Sequence, residues 1–246
     1  MANWQDPQMT GASAATVSVP RAARDAGLRS YMLSVYNYMA SGVLLTGIVA
    51  LLFAPYASDV LISQTGRGLS GLGWIVTLAP LAFVMVMSFG INRISTGTLQ
   101  ILFWSFAAVM GLSMSTVFIA YTGVSIATTF FAVTAAFLGL SLFGYTTKRD
   151  LSGFGTFLIM GVVGLLVAML INLFLQSPAM QMAISAIGVL LFAGLTAYDT
   201  QKIKSMYYHV AGSDMMGKVV IMGALNLYLD FVNMFTFLLQ FMGDRR

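Results

Sequence analysis

The sequence has no cysteine, no glutamate, one histidine and only 8% charged residues. Without cysteine there is no disulfide, no thiolate metal site and no thiol nucleophile. A lone His209, beside Tyr207 and Tyr208, provides neither an HExxH motif nor a histidine metal cluster. All eight acidic residues are aspartates, so carboxylate chemistry inside the molecule has few candidates. Soluble domains carry about 25% charged residues, and this chain falls far below that.

What is present instead is apolar sequence: 59% of the 246 residues are hydrophobic and the mean hydropathy is +0.87. Apolar stretches of the roughly 20 residues needed to cross a bilayer recur at about 31–54, 73–91, 98–121, 125–146, 154–176, 181–201 and 217–242. The expected fold is all-α, a polytopic membrane protein with a seven-transmembrane-helix bundle over residues 31–246. Residues 1–30 are rich in Ala, Ser and Thr and read as a flexible cytoplasmic tail. Tyr31–Ala54 is longer than a signal-peptide core, and no small-x-small cleavage site follows it.

The net charge of +4 does not call for a nucleic-acid partner, because the positive-inside rule accounts for it. With residues 1–30 cytoplasmic, the inner side holds Arg21, Arg24, Arg29, Arg93, Lys148, Arg149, Lys202, Lys204 and Lys218. The outer side holds only Arg67, Arg245 and Arg246. The lipid bilayer is the first partner expected. Ala107, Gly111 and Ser115 form a small-xxx-small ridge suited to close helix approach. The eighteen methionines read as packing or lipid-facing residues. No internal repeat is visible. Gly66–Gly71 satisfies GxGxxG but follows no strand, and reads as a flexible turn.

Two aspartates fall within spans: Asp199 in GLTAYDTQKIK and Asp230 in LNLYLDFVNMF. A charge at a helix centre costs about 2.5–3.5 kcal/mol on insertion scales and usually faces a partner inside the bundle. Gly223, Asn226, Asp230 and Asn233 follow at spacings of three and four, giving one polar stripe. Thr196 precedes Asp199 by one turn. Spans six and seven are consecutive and antiparallel, so the two carboxylates can meet and share a proton. Arg93, in FGINRIST at the inner end of span two, is the cation best placed to compensate them. Asp230 lies about 18 Å into its drawn span, deeper than Asp199. The pair therefore meets only if span six runs further, or span seven starts later, than drawn.

ALNLYLDFVNMFTFLLQF, GLTAYDTQKIK, YTTKRDLSGFGTFL and APLAFVMVMSFGINRIS together resemble segments of the transmembrane Bax inhibitor motif family in its bacterial form. The resemblance spans about residues 25–246. It implies a seven-helix bundle with the last helix central and a pH-sensitive calcium leak. It also implies a pH sensor or gate made of an aspartate pair, here Asp199 and Asp230, latched by an arginine, here Arg93. Gly90 stands where many bacterial members carry a further arginine. Calcium and protons are the implied ligands. Calcium prefers carboxylate and carbonyl oxygens, and Asp199 and Asp230, with Asn226, Asn233 and Thr196 along the ion path, are the candidate donors. No cofactor is called for.

Intramembrane aspartyl proteases also pair two aspartates on adjacent helices, the first within Tyr-Asp, as at Tyr198-Asp199. Their second motif, Gly-x-Gly-Asp, lets backbone approach substrate. Here it reads Leu227-Tyr228-Leu229-Asp230, without glycine, and an enzyme is not expected. The alternative from another class is a non-conducting regulatory or scaffold protein that binds other membrane proteins or proteases, with the aspartates as helix glue.

Overall fold

The computed structural model describes residues 21–63 and 68–245. It is all-helical: α1 (Arg21–Leu61), α2 (Gly71–Gly90), α3 (Thr96–Met114), α4 (Val117–Ala120), α5 (Gly123–Thr146), α6 (Ser152–Leu175), α7 (Pro178–Val210) and α8 (Met216–Met242). Seven helical segments are long and apolar enough to cross a membrane, α3 and α4 counting as one.

Side chains in the connecting turns start four of these eight helices. Ser70, Ser95, Thr122 and Ser177 each accept a backbone N–H two or three residues on. Such caps satisfy one of the orphan N–H groups at the helix start, for about 1 kcal/mol. Pro178 follows the Ser177 cap at the first helical position, where its missing N–H is harmless. The described part of the glycine-rich stretch is a turn. Gly68 takes φ of +82°, Leu69 bridges back to Ile62, and the Ser70 hydroxyl donates to the Val60 carbonyl at 2.6 Å.

Three spans differ from the sequence expectation. α1 begins at Arg21 and holds 41 residues. That is about 60 Å, about twice the hydrocarbon thickness, so helix continues outside the apolar run. The tail boundary at residue 30 is thus replaced by helix from Arg21, and residues 1–20 lie outside the described residues. The third span is interrupted between α3 and α4. There the hydroxyls of Ser115 and Thr116 donate to the carbonyls of Leu112 and Ser113, a local competition that bends helices. α7 holds 33 residues and ends at Val210 rather than near 201.

α8 is the axis of the bundle. Of its most apolar stretch 67% is buried, against 17–33% for the other spans. It packs on α7, α1, α5 and α3, while α6 rests on α7, and α2 on α3 and α1. Tyr228 fixes α8 near its middle: its ring meets Phe106 and Phe103 edge-on at 5.1 and 6.4 Å. Its hydroxyl pairs with Thr46 of α1 at 2.6 Å, and Thr46 also donates to the Ala107 carbonyl at 2.8 Å. The small-residue ridge of α3 serves this crossing, since a Cβ on Gly111 would stand 2.7 Å from the Thr46 carbonyl oxygen. Thr46→Val leaves the buried Tyr228 hydroxyl without its partner. It should lower stability by about 1 kcal/mol, the scale of hydrogen bonds between membrane helices, read as an earlier midpoint in unfolding from detergent micelles.

Candidate functional site

α7 is held against its neighbours by missing side chains. A Cβ on Gly144 of α5 would meet the Ala197 carbonyl oxygen at 2.2 Å, and one on Gly155 of α6 would meet the Tyr198 ring at 2.3 Å. On the facing side, Gly223 of α8 receives Ile203, a Cβ there meeting its side chain at 3.3 Å. The backbone of α7 from residue 197 to 203 is thus clamped by three helices, and Asp199 lies within that clamp.

The extra length of α7 resolves the question of depth. Asp199 stands about three turns before the end of α7 and Asp230 about four turns after the start of α8. In antiparallel neighbours these depths nearly coincide. The two carboxyl groups lie within hydrogen-bonding reach of each other. Asp230 is buried, 4% exposed, and its Oδ2 finds no donor among the described residues. Asp199 is half-buried. Two carboxyl groups can bond each other only when one of them holds a proton.

The other expected residues surround the pair unevenly. Thr196, fully buried, donates to the Phe192 carbonyl at 2.8 Å. Asn226 is half-buried one turn before Asp230, and Asn233 donates to the Leu229 carbonyl at 2.8 Å. Arg93 is not brought to the pair. It is exposed in the turn between α2 and α3. The cation whose charge reaches Asp199 is Lys202, one turn on, with its ammonium 5.8 Å from the centre of the Tyr198 ring. Lys204 is engaged elsewhere, donating to the Tyr145 carbonyl at 2.7 Å. The turn carrying Arg93 nevertheless docks on α8, because Lys218 donates to the Ile91 carbonyl at 3.0 Å. Among the described residues no cluster of three or more Asp or His side chains forms, so two carboxylates are the most that meet one ion. His209 sits exposed at the end of α7, its Nδ1 3.2 Å from the Ser205 carbonyl oxygen.

A chain of hydroxyls that the sequence reading passed over ties three helices beside the pair. Tyr36 of α1 meets Ser141 of α5 at 2.5 Å, and Ser141 meets Thr200 of α7 at 3.0 Å. Thr200 then donates to the Thr196 carbonyl at 2.7 Å. Since Thr200 spends its proton on that carbonyl, Ser141 donates to Thr200 and Tyr36 to Ser141. The available signal was Ser141 within the otherwise apolar stretch 135–144 and Thr200 directly after Asp199.

Seven apolar helical spans around a buried central helix, with a carboxyl pair between the last two, define a polytopic helical membrane protein. Residues 28–246 match the family model described as inhibitor of apoptosis-promoting Bax1, and the chain belongs to this Bax inhibitor family. It is 48% identical over 224 residues to a protein of Rickettsia prowazekii, covering 90% of this chain and 92% of that one. It is 46% identical over 223 residues to the inner membrane protein YbhL of Escherichia coli K12, covering 90% and 94%. A membrane protein of Streptococcus pyogenes is 34% identical over 220 residues, with 89% and 94% covered.

Proposed function

We propose that the chain is a pH-sensitive calcium leak of the bacterial inner membrane, in which the proton shared by Asp199 and Asp230 sets the balance between closed and conducting states. The observation that carries this reading is the contact between the two carboxyl groups, one of them sealed from solvent. Two unit charges about 4 Å apart repel by about 4 kcal/mol at the effective dielectric of protein sites, enough to hold a proton on the pair. The location rests on likeness to YbhL, named an inner membrane protein.

Losing the shared proton adds a negative charge between α7 and α8 that needs a cation. Arg93 answers it from a turn already docked on α8 through Lys218. Regaining the proton releases Arg93 and lets α2 move, a two-state element biased by pH. The exposed Arg93 of this structure suits the protonated, unlatched pair. Two carboxylates without a third offer calcium weak capture, which suits passage better than storage. We read the chain as no enzyme, since Leu227-Tyr228-Leu229 gives substrate backbone no close access to Asp230.

Arg93→Ala is expected to raise calcium flux in alkaline buffer toward the acid level while leaving the acid level unchanged, measured in dye-loaded proteoliposomes. A variant whose pH profile overlays the wild type would remove Arg93 from the gate. The closed packing around Asp230 favours one second reading, a non-conducting regulatory protein that holds other membrane proteins and uses the pair as helix glue. Flux above empty vesicles separates the two.

A further inference from the structure

We infer that the outer end of the bundle carries a binding site for a phosphate group on an apolar body, the headgroup region of an outer-leaflet phospholipid. A cavity of about 620 Å³ lies between the α6–α7 turn and the end of α8. It is remote from the carboxyl pair and independent of the leak reading. Its polar wall is built from Asn172, Gln181 and Gln240, three carboxamides joined in a row, with Arg245 at its rim.

The polarity of that row is fixed by one backbone group. The Ser177 N–H donates to the side chain of Asn172 at 3.0 Å. A backbone N–H can only donate, so the atom it meets is the amide oxygen, and the Asn172 nitrogen must face Gln181. That nitrogen donates to Gln181 Oε1 at 3.2 Å. The Gln181 nitrogen in turn donates to Gln240 Oε1 at 2.9 Å. The row therefore ends on the Gln240 amide nitrogen, which has two N–H donors and no acceptor within the row. A chain that terminates in donors calls for an acceptor-rich ligand.

Charge points the same way. Arg245 is held at the rim rather than left to wander. Its guanidinium stands 5.9 Å from the centre of the Tyr121 ring, and its backbone bridges to Tyr121. The preceding Asp244 faces α5, where Ser125 donates to its Oδ2 at 3.4 Å, and its carbonyl accepts from the Thr122 N–H at 3.1 Å. The N-terminus of the long α7 adds its positive dipole end to the same wall. Anionic oxygen is the group these donors fit.

Much of the remaining cavity wall is apolar. Met169, Leu173, Met182 and Phe241 line it, with Leu173 and Met182 facing outward at 67% and 60% exposure. A small hydrated anion has no use for that surface, whereas a phospholipid sets its phosphate against Gln240 and Arg245 and its chains along Leu173 and Met182.

The test uses the full chain in neutral detergent with phosphatidylglycerol added, binding being followed by native mass spectrometry. Gln240→Glu keeps an acceptor for Gln181, so the row and the fold survive, but it replaces the terminal donors with a carboxylate. Gln240→Glu and Arg245→Ala should each bind the lipid about tenfold more weakly, the effect of losing one charged hydrogen bond. Arg149→Ala, at the opposite end, should bind as the wild type does. A second arm adds inorganic phosphate and reads the unfolding temperature. Protection by phosphate alone, lost in the same two variants, would keep the donor site but overturn its assignment to a lipid. Equal lipid binding by wild type, Gln240→Glu and Arg245→Ala, without phosphate protection, would overturn the site altogether.

Discussion

Asp230→Asn is expected to leave the bundle folded and to remove the pH dependence of calcium flux. Asparagine has nearly the volume of aspartate and places an N–H₂ donor where the shared proton was, so the contact with Asp199 survives as an ordinary hydrogen bond. It cannot titrate, however. The variant should stay in the protonated-like state, with flux at alkaline pH rising to the acid level. Asp199→Asn should act in the same direction, and the double variant should add little, because one proton belongs to both residues. The check is flux against pH for the four proteins, with unfolding midpoints to confirm that each is folded. Additive effects of the two single changes would mean that the carboxylates titrate separately.

The second large effect is structural. Gly144→Val should destabilise the bundle by several kcal/mol, and Gly144→Ala by about 1–3 kcal/mol, the usual cost of overpacking. The atom a new Cβ would strike is the Ala197 carbonyl oxygen at 2.2 Å. That atom belongs to the helical ladder of α7 and cannot swing aside as a side-chain tip can. Gly139, on the same helix, is the control, since a Cβ there meets nothing within 4 Å. Gly139→Ala should be neutral or stabilising, by up to about 1 kcal/mol from helix propensity. Unfolding midpoints of the two alanine variants, measured together, separate close packing from propensity. Because Asp199 lies two residues from Ala197, any Gly144 variant that folds should also show a disturbed pH response.

Much of this architecture is legible in the residues. Runs of about 20 apolar residues specify spanning helices because lipid offers the backbone no other partner, and all seven spans appear where such runs lie. The residues Gly223, Asn226, Asp230 and Asn233 share one stripe by helical period, but α8 is buried on nearly every side, and Leu225, Leu227, Phe231 and Met234 lie deeper than the half-buried Asn226 and Asn233. Helix length was less visible. Hydropathy ends where the hydrocarbon ends, but α7 continues through Lys202, Lys204 and His209 to Val210, and that continuation brings Asp199 level with Asp230. Long-range ties were not legible at all. Tyr36, Ser141 and Thr200 are 105 and 59 residues apart in sequence, and only the packing of α1, α5 and α7 brings their hydroxyls together. Arg93 shows the opposite limit. Its place just past the end of span two was readable, whereas its surroundings depend on a turn whose docking, through Lys218 and the Ile91 carbonyl, no local pattern records.

Lys202 is the cation that reaches Asp199, and no third carboxylate joins the pair among the described residues. Asp150, just before α6, lies outside the spans. The Ser152 hydroxyl and N–H hold its exposed carboxyl below the ordinary carboxylate range. Its contribution to the start of α6 is therefore present at neutral pH and lost only as pH falls below that range. Mild acid thus leaves this contact in place.

The most direct measurement is calcium entry into dye-loaded proteoliposomes at about pH 6 and about pH 8, bracketing the range in which biological pH sensing operates. Wild-type protein should carry more calcium at the lower pH, and Asp230→Asn should carry the same at both. Flux no greater than that of empty vesicles at either pH would contradict the leak. Asp199 and Asp230 would then be a hydrogen bond that pins α7 to α8 in a regulatory membrane protein.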